Sequence, residues 1–297
     1  LAYHAAEALP AGNAARALDI AQQAAAQAVA LMAHEEALRC YRLALQLQER
    51  WLPAERARHG ALLLALGAVQ MHAGENDASA ATFLEAATVA RALGDADLFA
   101  QAALGFENNG WRISHPGEQA AALLEEALAS SDSFDAALRV DLLAALCRAC
   151  IFCGRQPQAN AAQRQAVALA RELAMPHPLF KALAAILPAR ADPAQLDERL
   201  RCAREALEVA EHAGHMEWVD ALTGWYFGDL VEKGELGTAR PLAQVHARVA
   251  DAIRQPFMQA MGLASLTLLA AYEGRFADAE RLAGQTFTIG QRFLPGN

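Results

Sequence analysis

The chain has 297 residues, of which 74 are alanine and 42 leucine, while valine and isoleucine together number 16. Ala and Leu are strong helix formers and β-branched residues build sheets, so this balance excludes a β-sandwich, a barrel or a doubly wound α/β fold of this length. A formal net charge of −9, with 23 arginines against 2 lysines, leaves no basic run able to grip a phosphate backbone. The densest cluster, Arg199, Arg201 and Arg204, lies among Asp197, Glu198, Glu205 and Glu208.

Taken in chain order, the sequence opens at Leu1 in a segment, Leu1–Leu9, that already reads as helix, as expected of a piece cut from a longer polypeptide. Gly74 then interrupts a helical pattern, and Gly154, Gly234 and Gly274 do so at multiples of forty residues beyond it. The intervening beats fall at His34, at Ser114 beside Pro116-Gly117, and at Ala194 after Asp192-Pro193, which are turn residues or their neighbours. A second beat runs about twenty residues out of phase: Leu52-Pro53, Gly94, Ser133, Met175-Pro176, Gly214 and Gln255-Pro256. Glycine suits the position just past a helix and proline the first turn of the next.

Each forty-residue unit is therefore predicted to be two helices of roughly 14–18 residues joined by short turns. Ala166, Leu169, Ala170 and Leu173 follow the helical period, with Gln163, Arg164, Arg171 and Glu172 off that face. One such hairpin cannot bury its apolar side alone, but a stack can. About seven units in a single domain spanning residues 1–297 are expected, an all-α solenoid.

A glycine followed five residues later by alanine, as in Gly154/Ala159, Gly234/Ala239 and Gly274/Ala279, resembles the tetratricopeptide repeat, and Gly67 matches that repeat's first-helix glycine. The period is longer than the usual 34 and is closer to the variant in MalT-like regulators. Leu1–Leu9, Ala24–Ala26, His34–Leu45, Ala90–Asp95, Leu196–Leu200 and Glu273–Ala283 extend the similarity over almost the whole chain. The resemblance implies a right-handed superhelix that follows an AAA/STAND signalling ATPase in a bacterial protein, often with a LuxR-type DNA-binding domain or a nucleotide cyclase attached. It implies a sensor or scaffold role for the repeats, with the parent's ATPase domain and a protein, peptide or small effector as partners. A free-standing adaptor that assembles other proteins is the alternative.

Catalytic motifs are missing from the sequence. A P-loop needs lysine after glycine and Ser/Thr next, but Lys181 follows Phe180, Lys233 follows Glu232, and neither precedes Ser or Thr. No GxGxxG, GxSxG or HExxH occurs, so no catalytic residue and no cofactor are expected. Cys147, Cys150 and Cys153 have a spacing that could suggest metal ligation, yet a helix splays such residues over about 120°. They read as small core residues, and no metal is expected. His212 and His215 flank a turn at Gly214 and read as turn or solvated histidines, and Trp225 and Tyr226 as core. Five cysteines form no disulfide framework, which fits a cytoplasmic protein. The longest uncharged stretch, Gln255–Tyr272, carries Pro256, Gln259, Ser265 and Thr267 and reads as a buried helix, not a membrane span.

In tetratricopeptide-like stacks the first helix of each unit lines the concave groove. Residues at i, i+7 and i+11 share one helical face. The middle units carry polar groups there: Gln101/Asn108/Arg112, Asp141/Arg148/Phe152 and Lys181/Pro188/Asp192, with Trp111 adjacent. The second unit places Ala61/Ala68/His72 on this face, and the last two Ala221/Gly228/Glu232 and Met261/Leu268/Tyr272. Gln101, Asn108, Trp111, Arg112, Asp141, Arg148 and Lys181 are thus the candidate binding residues, suited to a carboxylate or other anionic group.

Overall fold

The computed structural model describes residues 13–110, 117–130, 134–190, 192–253 and 256–291. These form fourteen α-helices and one short 3-10 turn. The first seven are α1 (Ala14–Ala30), α2 (His34–Trp51), α3 (Arg56–His72), α4 (Asn76–Leu93), α5 (Ala96–Gly110), α6 (Gly117–Ala129) and α7 (Ala136–Phe152). α8 (Gln156–Leu173) and α9 (Pro176–Ala184) lead to the turn Pro193–Gln195. The chain then continues through α10 (Leu196–Ala213), α11 (Met216–Lys233), α12 (Leu236–Ile253), α13 (Pro256–Tyr272) and α14 (Phe276–Gly290). No strand occurs among the described residues.

The chain divides into two compact units, Leu1–Ala159 and Asn160–Asn297, the boundary falling inside α8. Within the first unit every helix from α1 to α7 packs on the next, and the first helices α3, α5 and α7 also touch in succession. Within the second, α9 to α14 pack consecutively, and first helix α11 touches first helix α13. Neighbour-on-neighbour packing of hairpins is the organisation of an α-solenoid, in which each repeat contacts chiefly the repeats beside it.

The turn chemistry follows from the two beats. Gly94, Gly214 and Gly234 cap α4, α10 and α11 in the left-handed conformation, with φ of 68°, 71° and 83°. There the amide of the following residue reaches back across the helix end, as Asp95 N does to the Ala90 carbonyl at 3.0 Å. Ala174 stands where the forty-residue register would place such a glycine, between Gly94 and Gly214, and has φ of 51°. A Cβ in this region costs about 1 kcal/mol. Ala174→Gly is therefore expected to stabilise the second unit by about that amount, seen as a higher midpoint in urea at unchanged slope.

Alanines at the helix contacts are sealed from solvent, among them Ala21, Ala37, Ala86, Ala100, Ala103, Ala121 and Ala145, all at 0% exposure. Such short side chains let backbones approach, and larger ones interlock where glycine makes room. The Phe83 ring lies against Gly67 of α3 and Gly105 of α5, where an added Cβ at Gly67 would meet it at 3.0 Å. In the second unit Phe227, Leu230, Val231, Ala239, Ala243 and Leu269 form a core cluster of α11, α12 and α13.

Within each compact unit, arginine ties successive repeats together. Arg42 bonds Glu75 at 2.6 Å and Arg91 forms a two-pronged bond to Glu126 at 2.6 and 2.7 Å. Arg171 reaches Glu205 at 2.7 Å and Arg240 reaches Glu273 at 2.6 Å. Partners sit 33–35 residues apart, close to one repeat. The planar guanidinium fork matches a carboxylate in a way lysine cannot. Such exposed pairs are screened by water and add little to stability.

One element departs from the expected regularity. α9 stops at Ala184 after nine residues. Pro188 has no amide hydrogen, and its ring would strike the carbonyl four residues back, which is that of Ala184. Lys181, Pro188 and Asp192 therefore do not share one helical face: Lys181 lies on α9, Pro188 in the turns beyond it, and Asp192 caps the 3-10 turn by accepting from Ala194 N at 3.0 Å.

Candidate functional site

Four of the candidate binding residues fall on the adjacent first helices α5 and α7. Gln101 and Asn108 are exposed on α5, while Asp141 and Arg148 are half-buried on α7. Their seven-residue spacings put each pair on one face, and the two helices touch. Phe152, four residues beyond Arg148, is 53% exposed. Trp111 and Arg112 lie outside the described residues. Lys181 is half-buried in the second unit.

Arg148 is already engaged. Its Nε and Nη2 donate to the two carboxylate oxygens of Glu107 on α5 at 2.9 and 2.7 Å. Glu107 has only 3% of its side chain exposed, whereas Arg148 keeps 28%. Burial is the largest influence and opposes the Arg148 charge, but the charge and hydrogen bonds of Glu107, together with Cys147 and Asp141, hold the guanidinium above its ordinary pKa. Arg148 thus joins two first helices, α5 and α7. Beside it, the Asn109 amide nitrogen donates to the Asn76 carbonyl at 2.9 Å, tying α5 to the start of α4. Glu107 was not among the sequence-derived candidates, because its partner stands 41 residues away.

The histidines and cysteines divide by position. His212 contacts the Glu208 carbonyl through Nδ1 at 2.6 Å. His215 precedes α11 and its ring lies tilted by 30° against Trp218, 4.1 Å between ring centres, while Phe180 stacks on the same indole at 4.1 Å. Cys147 and Cys150 are buried in the first unit, and Cys153 is half-buried past the end of α7. Among the described residues no group of three or more His, Cys, Asp or Glu could hold a metal ion. No described helix is long and apolar enough to cross a membrane.

Burial pushes the Cys150 thiol up to about 11 and, in the second unit, the Cys202 thiol up to about 12. At pH 8 a thiol of pKa 11 is ionised in about one molecule in a thousand, and the thiolate is the reactive form. Iodoacetamide labelling of the folded protein at pH 8, read by mass spectrometry, is expected to modify Cys153 first. Cys150 and Cys202 should react only after denaturation.

The second unit holds a charge cluster that reading the sequence did not isolate. Arg199 and Asp229 are both 0% exposed, and Arg199 Nε donates to Asp229 Oδ1 at 3.2 Å. Its Nη1 donates to the Ala189 carbonyl at 2.8 Å and its Nη2 to Glu232 Oε2 at 2.5 Å. Arg190 adds a second guanidinium, 3.0 Å from Asp229 Oδ1 and 5.1 Å above the Trp225 ring. Trp225 and Tyr226 are half-buried, Tyr226 packing against the core cluster and Trp225 presenting its ring to Arg190.

No family model matches the chain, and no curated protein matches it by sequence. Its fold, by contrast, has clear likenesses among solved structures. A signal transduction ATPase with numerous domains (STAND) protein with a tetratricopeptide repeat sensor, from Pyrococcus horikoshii, aligns at a TM-score of 0.65 over 92% of this chain, with 10% identity. This chain spans 42% of that protein. BtubC (BKLC) from P. vanneervenii aligns at a TM-score of 0.57 over 75% of this chain and 94% of its own, with 16% identity. At these identities the likeness establishes a shared all-α repeat fold.

Proposed function

We propose that the chain is a non-catalytic sensor or scaffold segment of a signalling ATPase, binding a peptide or small effector on the first-helix face of its repeats. The observation that carries this reading is the fold likeness to a STAND protein with a tetratricopeptide repeat sensor, covering 92% of this chain. Occupancy of the face biases the attached ATPase, and through it a DNA-binding or cyclase output domain, in one continuous repeat domain of a bacterial cytoplasmic protein. Coupling of this kind requires only that the ligand bind one state of the repeats more tightly than the other. Gln101, Asn108, Asp141 and, outside the described residues, Trp111 and Arg112 supply contacts in the first unit, where Glu107 holds Arg148, and Lys181 is a separate candidate in the second unit.

BtubC favours a second reading, because the aligned helices make up 94% of that chain. A free-standing adaptor would use the same face to assemble proteins without an attached ATPase. Both readings are tested by panning a displayed peptide library on the folded chain. Enriched peptides are expected to lose at least tenfold in affinity for Gln101→Ala/Asn108→Ala/Asp141→Ala. Equal affinity for a folded triple variant would sink the assignment of the face. Dependence of ATP hydrolysis on the bound peptide, measured in the parent polypeptide, separates sensor from adaptor.

A further inference from the structure

The charge cluster at α11 holds one fully buried guanidinium and one that is partly exposed. Two carboxylates, Asp229 and Glu232, face two guanidinium groups, but the groups are not equivalent. Arg199 is 0% exposed and bonded to three acceptors, two carboxylates and the Ala189 carbonyl, so it belongs to the frame. Arg190 keeps 38% of its side chain exposed and comes from the irregular turns between α9 and α10. Its Nη2 stands 3.4 Å from the Trp225 carbonyl and its Nη1 3.6 Å from Glu232.

The surface under Arg190 is shaped for a planar cation. Trp225 supplies a ring face, which attracts cations through its quadrupole. Gly228 supplies clearance, since a Cβ there would stand 2.7 Å from Arg190 Nη2. Asp229 supplies charge from a position of 0% exposure, and its Oδ2 has no hydrogen-bond partner. Burial raises the Asp229 carboxyl above its usual range despite the two arginines that pull it down. With Arg190 turned outward, two carboxylates would face one guanidinium beside an open indole face. That is a net negative, aromatic-walled site open to solvent on the side Arg190 vacates.

We propose that Trp225, Gly228, Asp229 and Glu232 form a recognition site for the guanidinium of a partner's arginine side chain, and that Arg190 occupies this site as an internal stand-in. Gly228 and Glu232 are first-helix face positions, so the proposal rests on the reading of that face as the binding face and names its chemistry in the second unit. An internal occupant lowers the apparent affinity by the fraction of molecules in which it is displaced. Removing it should expose the intrinsic affinity.

The test is titration with L-argininamide, following the Trp225 indole N–H resonance, assigned by its loss in Trp225→Phe. In Arg190→Ala the dissociation constant is expected to fall at least tenfold relative to wild type. Lysinamide should bind more weakly than argininamide, and Arg190→Ala/Glu232→Gln should lose the response. Equal affinity for wild type and Arg190→Ala, or no shift of Trp225 in Arg190→Ala, overturns the proposal. Lysinamide binding as tightly as argininamide overturns the guanidinium assignment. Should Arg190→Ala not fold, Arg190→Gln is judged by the same criteria. Because the library experiment reads Gln101, Asn108 and Asp141, failure there and failure here are distinguishable.

Discussion

Arg199→Leu is expected to lower the stability of the second unit by about 3–5 kcal/mol, the range for breaking a buried ion pair by removal of one member. The substitution leaves Asp229, at 0% exposure, with Arg190 as its remaining cation. It also removes the donors to Glu232 and to the Ala189 carbonyl. The loss comes from stranded buried polar groups more than from the Coulomb energy of the pair. Arg199→Leu/Asp229→Leu should therefore recover part of the loss, since the fully buried carboxylate is gone, while Glu232 keeps Arg190 at 3.6 Å and the Ala189 carbonyl still lacks its Arg199 donor. Equilibrium urea denaturation of the wild type and the single and double variants measures both effects. A single variant within about 1 kcal/mol of wild type would falsify the assignment of Arg199 to the structural frame.

The second large effect is at the first unit's candidate site. Arg148→Ala is expected to destabilise that unit by about 2–4 kcal/mol, somewhat below the fully buried range, because Arg148 retains 28% exposure while Glu107 retains 3%. Substitution strands the Glu107 carboxylate and cuts the link between α5 and α7. Arg148→Ala/Glu107→Gln should be less destabilised than Arg148→Ala alone, because the stranded charge is gone. This bears on function: loss of ligand binding in Arg148→Ala would mix a lost contact with a loosened face. The exposed Gln101 and Asn108 are the cleaner reporters, since exposed polar substitutions usually change stability by less than about 0.5 kcal/mol.

Helical class, repeat length and turn positions were legible in the sequence because they depend on local chemistry. Gly74, Gly94, Gly154, Gly214, Gly234 and Gly274, marked by spacing, all adopt positive φ in the structure. Pro176 and Pro256 open α9 and α13 as a first-turn proline should. Burial of Cys147 and Cys150 also followed from their place in an apolar helix. The equivalence drawn for Lys181, Pro188 and Asp192 treated the repeat as more regular than it is. Pro188 itself carried the contrary signal, since a proline there ends the helix four residues earlier.

What the sequence determined by itself, then, is a stack of alanine-rich helical hairpins, because helix propensity, periodicity and capping act over a few residues. Tertiary structure decided which charged residues are free and which are held. Arg199 stands in sequence among Asp197, Glu198 and Glu205, yet its carboxylate partners are 30 and 33 residues away. Arg148 likewise takes its partner from the preceding repeat. Such pairings depend on how one hairpin docks on the next, a geometry set by side-chain packing and not written in local spacing. Arg190 depends on it most, for only the broken end of α9 brings its guanidinium over Trp225 and Gly228.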